Sequence, residues 1–337
     1  MTGFNVRRLA VRVGIFAFVR LCLVAGVAAA ASPEADGPGF TMTTFGGIES
    51  GTAKELVYDG SVTESELDWN FSPFYLYGLR LDYEARSGFF ASLCLSSGIP
   101  GKTGTMTDSD WLSYEYGDYN KTDYSVSDCV TEQALFAEAS AGWMWELQRH
   151  FDVGLYVSFQ YVDLEWAARD GYYQYASDGS DWSSSLAEER LYGLGILYRQ
   201  SYVIPKIGLR ASCRPSARLS IEGSISFSPA VSCTDEDDHA NRSITFTDSF
   251  RGGTLFEPEL AANYVVSPRS AIGLRISYRN IRGLRGDEKL TLTQDYTVTN
   301  SDGSTSTYPA GYSETYSDGA GAALESFELS LSLSIHL

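Results

Sequence analysis

The sequence predicts an all-β protein: a ten-stranded antiparallel transmembrane β-barrel with long extracellular loops. Three observations lead there. Apolar and polar residues alternate over segments of ten residues or more, while helical periodicity is scarce. Tight turns and long polar loops take turns between those segments, the layout of an outer-membrane barrel. An export signal precedes them. A soluble sandwich alternates with the same period, so periodicity alone does not separate the two. The signal, the strand length, and Tyr and Trp near strand ends favour the membrane. Closure into a barrel also removes exposed sheet edges.

The elements follow in order. Residues 1–31 read as a signal peptide. Arg7, Arg8 and Arg12 form its basic start, Val13 to Val27 is mostly apolar, and Ala28-Ala29-Ala30-Ala31 offers a cleavage site. Arg20 interrupts the apolar run, which argues against a retained anchor. No later run approaches ~18 apolar residues, so no helix is expected to span a membrane. Residues 32–39 form a short leader, and residues 40–337 a single barrel domain. Phe40 to Val57 and Leu67 to Tyr83 make the first strand pair, joined near Asp59-Gly60. Glu84 to Gly88 is a tight turn, Phe89 to Ile99 the third strand, and Pro100 to Asp128 a long polar loop. Glu132 to Leu147 turns at Gln148-Arg149-His150 into Phe151 to Trp166, followed by a polar loop from Ala167 to Ser185. Glu189 to Ala211 turns at Cys213 to Ser216 into Leu219 to Val231, and a loop bearing His239 follows. Ile244 to Val266 turns at Ser267 to Ser270 into Ile272 to Ile281. Gly286 to Ala320 is the last long loop. Leu324 to Leu337 closes the barrel, with Phe327, Leu329, Leu331, Leu333 and Ile335 on one face.

The formal charge is −18, from 43 acidic and 25 basic residues. Losing the four signal arginines leaves 21 basic residues and a charge near −22. That balance excludes nucleic acid as a partner and suits a cationic substrate. Of five cysteines, Cys22 leaves with the signal. No C-x-x-C pair occurs, which argues against zinc. Cys129 and Cys233 both lie near the expected mouth; a bridge and two free thiols remain open there.

The densest chemistry is in Thr234 to Asn241. Asp235, Asp237 and His239 fall on one face if strand geometry continues into the stretch. A His beside an Asp is the usual build of an oriented general base. Asp108-Ser109-Asp110 repeats the i, i+2 acidic spacing. Facing each other across the barrel mouth, the two segments would activate a water for peptide hydrolysis. Other readings are weaker. Asp235, Asp237 and Asp238 could ligate calcium, but the Gly and distal Glu of an EF-hand are missing. Ser125 lacks a following His in its loop. His150 and His336 read as a turn and a strand-end residue. No metal or cofactor is expected.

Several segments carry a family resemblance through their order and spacing. They are Ser50 to Tyr58, Leu67-Asp68-Trp69, Asp108 to Trp111, Ala168-Arg169-Asp170-Gly171, Ile204 to Leu209, Asp235 to His239, and Gly319-Ala320-Gly321. Across the whole mature chain the sequence resembles the omptins, outer-membrane endopeptidases built as ten-stranded barrels. The resemblance implies an aspartic-type endopeptidase, with its active site facing outward from the cell outer membrane. Asp108 and Asp110 match the family's acidic pair; Asp237 and His239 match its Asp-His pair. Glu55 and Asp235 match the acids that receive an Arg or Lys of a basic peptide or protein substrate. One departure concerns the lipid. Phe159-Gln160-Tyr161-Val162-Asp163 replaces a Tyr-Gln-Glu-Ser-Arg run that touches lipopolysaccharide, and Ser201 stands where a basic residue is expected. Dependence on lipopolysaccharide is therefore not expected. The rival readings are a catalytically silent barrel acting as an adhesin or surface-binding protein, and a small pore.

Overall fold

Alternation along this chain becomes long strands in a computed structural model that describes residues 39–112, 120–148, 150–176, 180–299 and 304–337. Residues 1–38, expected to hold the signal peptide and most of the leader, lie outside the described residues. The strands are β1 (Gly39–Asp59), β2 (Val62–Glu84), β3 (Phe89–Gly98), β4 (Gly101–Asp110), β5 (Asp123–Gln148), β6 (Phe151–Tyr175), β7 (Glu189–Ser216), β8 (Leu219–His239), β9 (Ile244–Ser267), β10 (Ser270–Leu292), β11 (Tyr296–Thr299), β12 (Thr305–Tyr308) and β13 (Ser313–His336). β3 and β4 are two halves of one stave. Both pair with β2 on one side and β5 on the other, and Pro100, which has no N–H to donate, falls at the break. β11 and β12 form a separate hairpin inside the last loop. The remaining strands make a ring of ten staves, closed where β1 pairs with β13.

The wall's two faces settle barrel against sandwich. Leu331 is 67% exposed and Val157 60%, whereas Ser330 and Gln160 are 3% and 4% exposed. Apolar residues point out and polar ones in, the reverse of a soluble fold. The lumen inside this apolar belt holds ion pairs. Lys206 contacts Glu257 at 2.6 Å and Glu138 at 3.0 Å; Arg279 contacts Glu257 at 3.1 Å. Above them the lumen is filled by rings. Trp69 of β2 lies 6.2 Å from Trp166 of β6 and 5.3 Å from Tyr198 of β7, stacked across the barrel, and Phe71 stacks on Trp166. All four are fully buried. This aromatic floor is the core of the molecule, and it disfavours the pore reading.

On the outer side the strands run further than the sequence suggests. Asp108 and Asp110 lie in β4, not in a loop, and β8 continues to His239. β6 reaches Tyr175, β10 reaches Leu292, and β13 begins at Ser313. The reason is that these extensions stand above the apolar belt. Their outward residues are polar, so the alternation that marks a strand disappears while the ladder continues. β1 likewise starts at Gly39, one residue inside the expected leader.

Cys94, Cys129, Cys213 and Cys233 are all free thiols. Cys129 on β5 and Cys233 on β8 are separated by β6 and β7, about 14 Å along the wall at ordinary strand spacing. A bridge needs Cα atoms within about 7 Å, so the pair is not poised for one.

Candidate active site

The extended strands carry the acidic residues into the mouth of the barrel, above the aromatic floor. On β8, Asp235, Asp237 and His239 share the inner face, as strand geometry requires. Asp238 points the other way and accepts a hydrogen bond from Thr245 at 3.1 Å, which takes it out of any shared ligand set. His239 Nε2 lies 2.5 Å from Asp237 Oδ2, and Phe246 packs edge-on against the imidazole with centroids 5.5 Å apart. Asp237 is buried, while its Oδ1 has no protein partner. The ring is thus held by one carboxylate oxygen and one aromatic wall.

Asp108 and Asp110 come from the other side of the ring. They sit on β4, held by β2 and β5, in register with Leu67 and Ser65 on one flank and Ser125 and Asp123 on the other. Burial, and then the charge of Asp110, push the Asp108 carboxyl well above the usual carboxylate range; Arg242 pulls it down and Asp237 pushes it up. Burial also raises Asp110, against a hydrogen bond from Ser65 and the charges of Arg242 and His239. The acidic pair and the Asp-His pair therefore act on each other electrostatically, although three staves separate them along the wall. Asp108 Oδ1 is buried without a protein partner.

Glu55 and Asp235 form a second, deeper group. Glu55 of β1 is 5% exposed, and its Oε2 is unpartnered. Burial and the charges of Asp237 and Asp235 hold its carboxyl well above the usual range. Asp235 is raised by burial to about 7. It accepts a 2.8 Å hydrogen bond from Tyr198 Oη, which in turn accepts one from Gln200 Nε2 at 2.8 Å. Gln200 also reaches the Lys54 carbonyl at 3.0 Å, and Tyr202 Oη donates to Gln200 Oε1 at 2.7 Å. This buried chain fixes the pocket to the aromatic floor and ties β1 to β7.

The six residues singled out in the sequence thus converge on one mouth. Sequence reasoning missed others. Asp248 on β9 stands directly opposite Asp235, and Glu288 on β10 directly opposite Asp248. The signal was present at Asp248, which shares the inner face with Phe246 and Phe250. Tyr198 and Gln200 gave none, since their partners are remote in sequence. Arg242, at the turn between β8 and β9, and Lys121 supply cations that face the acidic pair. Ser125 is buried in β5.

The motifs outside the mouth have structural duties. At Ala168 to Gly171, Asp170 and Gly171 adopt φ of 52° and 135° in a bulge of β6, and Asp170 Oδ1 accepts the Gly193 N–H at 2.9 Å. A Cβ on Gly171 would fall 2.0 Å from the Val126 carbonyl oxygen, so only glycine fits. On the outer wall Asp163 is buried beneath Arg199, whose Nε and guanidinium NH2 bond its two oxygens at 2.8 and 2.7 Å; Ser201 donates a third bond at 2.7 Å.

Comparison with known proteins agrees with this architecture. The Omptin family matches residues 38–334. The plasminogen activator of Yersinia pestis is 22% identical over 264 residues, 77% of this chain and 82% of that protein. The outer membrane protease OmpP of Escherichia coli strain K12 is 22% identical over 256 residues, 74% of this chain and 80% of that protein. The crystal structure of outer membrane protease OmpT from Escherichia coli superposes with a TM-score of 0.76 at 19% identity, covering 92% of this chain and all of that one. With a family match over almost the whole described barrel, this chain belongs to the omptin family.

Proposed function

We propose that this chain is an outer-membrane endopeptidase that cleaves peptides and proteins beside or between basic residues, with its active site facing outward. The protease activity and the outer-membrane location follow the family and its protease relatives. The finer reading rests chiefly on one observation: the 2.5 Å His239–Asp237 pair lies within electrostatic reach of Asp108 and Asp110 in a mouth of buried, unpartnered carboxyl oxygens.

In this mechanism a water is held between the two pairs. His239 takes its proton as the water attacks the scissile carbonyl, and Asp237 orients the imidazole and stabilises its charged form. Asp108 and Asp110 titrate as a pair; with one proton between them they can both accept from the water and donate to the developing oxyanion. In this sense the enzyme is of aspartic type. Glu55 and Asp235 receive the Arg or Lys side chain. A desolvated guanidinium needs fixed opposite charge, which these two buried acids supply.

The test is to refold the mature chain in detergent and offer fluorogenic peptides with Arg-Arg, Arg-Ala and Ala-Ala centres. Cleavage of the first two and not the third is expected. Equal cleavage of Ala-Ala overturns the specificity, and no cleavage of any overturns the enzyme.

A further inference from the structure

Three carboxylates run side by side across the barrel wall. Asp235 on β8 pairs in register with Asp248 on β9, and Asp248 pairs in register with Glu288 on β10. Like charges directly opposite each other destabilise a sheet. Here Asp248 and Glu288 are each 7% exposed, and no arginine or lysine forms an ion pair with any of the three among the described residues. Asp248 Oδ1 is buried without a donor of its own, while the Asp248 carboxyl shares a hydrogen bond with Asp235. No group of three acids, histidines or cysteines among the described residues has the arrangement to hold a metal ion. The row therefore lacks a counter-charge of its own and suits cationic side chains better than a metal.

We propose that Asp248 and Glu288 are specificity-determining residues: they extend the cation pocket from Asp235 toward β10 and receive a second basic side chain of the same substrate. This rests on the endopeptidase reading above. Glu55 and Asp235 already offer two carboxylates to the first guanidinium, enough for a forked contact. The row continues for two further strands, each about 4.8 Å on. In an extended peptide, side chains two residues apart point the same way and lie about 6.8 Å apart. That distance falls between one and two strand spacings. The basic residue this row receives is thus two positions from the first, an Arg-x-Arg pattern, because an immediate neighbour points to the opposite side. Burial, with the charges of Asp235 and then Asp237, raises the Asp248 carboxyl to about 9, and burial with the charge of Asp248 raises Glu288 to about 7. An arriving cation would displace those protons.

The experiment uses the refolded full barrel and three fluorogenic peptides. Each has one Arg at the cleavage site; positions two residues before and after it are Ala/Ala, Arg/Ala or Ala/Arg. One of the two-Arg peptides should exceed the one-Arg peptide in kcat/KM by about tenfold, a gain that shrinks in high salt. In the Asp248→Asn/Glu288→Gln double variant that ratio should fall close to one. Heat-modifiable gel mobility checks folding, and Glu288→Gln alone serves if the double variant does not fold. Equal rates for all three peptides, or a gain retained in a folded variant, overturns the inference while leaving the endopeptidase reading intact. Failure to cleave any of the three overturns both.

Discussion

Tyr198 Oη donates a 2.8 Å hydrogen bond to Asp235 Oδ2, joining the aromatic floor to the acidic pocket. The bond lowers the pKa of Asp235 against the burial that raises it. Tyr198→Phe removes it without changing ring packing on Trp69. Bonds to charged groups are worth about 1.5–3 kcal/mol. The Asp235 pKa should rise, so a higher pH is needed to charge the pocket. The acidic limb of the kcat/KM profile for an Arg-centred peptide should move toward alkaline pH. An unmoved limb would mean that Asp235 does not govern it.

Asp108→Ala, Asp110→Ala, Asp237→Ala and His239→Ala should each lower turnover by about 10²–10⁴-fold, the usual worth of general acid–base help. The barrel should still fold, because these side chains stand above the floor that holds the staves together. Gel mobility with and without heating reports folding; peptide cleavage reports turnover. Near-normal activity in folded His239→Ala would sink the mechanism.

Glu55→Gln with Asp235→Asn keeps the pocket's shape and removes its charge. A buried cation left unpaired costs about 3–5 kcal/mol, whereas pairing at an exposed rim is worth about 0–1 kcal/mol. The double variant should lose most of its kcat/KM for Arg-Arg peptides, with little loss on any apolar-centred peptide it cuts. A ratio of the two that barely moves at low and high salt puts the pocket elsewhere.

Asp248 gives a stability prediction. Burial first, then the charge of Asp235, hold its carboxyl at about 9, while an unfolded Asp titrates near ~4. Between those values the folded chain keeps a proton that the unfolded chain has lost. Its contribution to stability therefore falls as pH rises from about 4 to about 9. Asp248→Asn removes that loss. Thermal unfolding of the empty barrel should show the variant gaining on the parent across this window and not below it. Parallel curves would contradict the assignment.

Lipopolysaccharide should not be an obligate activator. Asp163 is bound by Arg199 and Ser201, so the Arg199 charge is already engaged at this place on the wall. Cleavage assays of refolded protein with and without added lipopolysaccharide should differ little. Strict dependence would show that other residues bind it.

The sequence by itself determined an all-β chain of long strands, its closing strand, and five of the six residues that meet at the mouth; Glu55 came only through the family resemblance. Alternation survives in any local window, and Asp237 with His239 needs only the period of one strand to share a face. The sequence left sandwich and barrel degenerate, because apolar-in and apolar-out have the same period; exposed Leu331 beside buried Ser330 broke the tie. It read β4 as part of a loop and ended β8 at Val231, since above the lipid nothing apolar marks the outer face. Only the tertiary structure decided which acids are neighbours. Asp235, Asp248 and Glu288 lie on three consecutive strands whose register is set by the hydrogen bonds between them. Tyr198 meets Asp235 because the β7–β8 register sets Tyr198 opposite Asp237 and Gln200 opposite Asp235, and Cys129 is kept from Cys233 because β6 and β7 stand between their strands; no local pattern encodes a register.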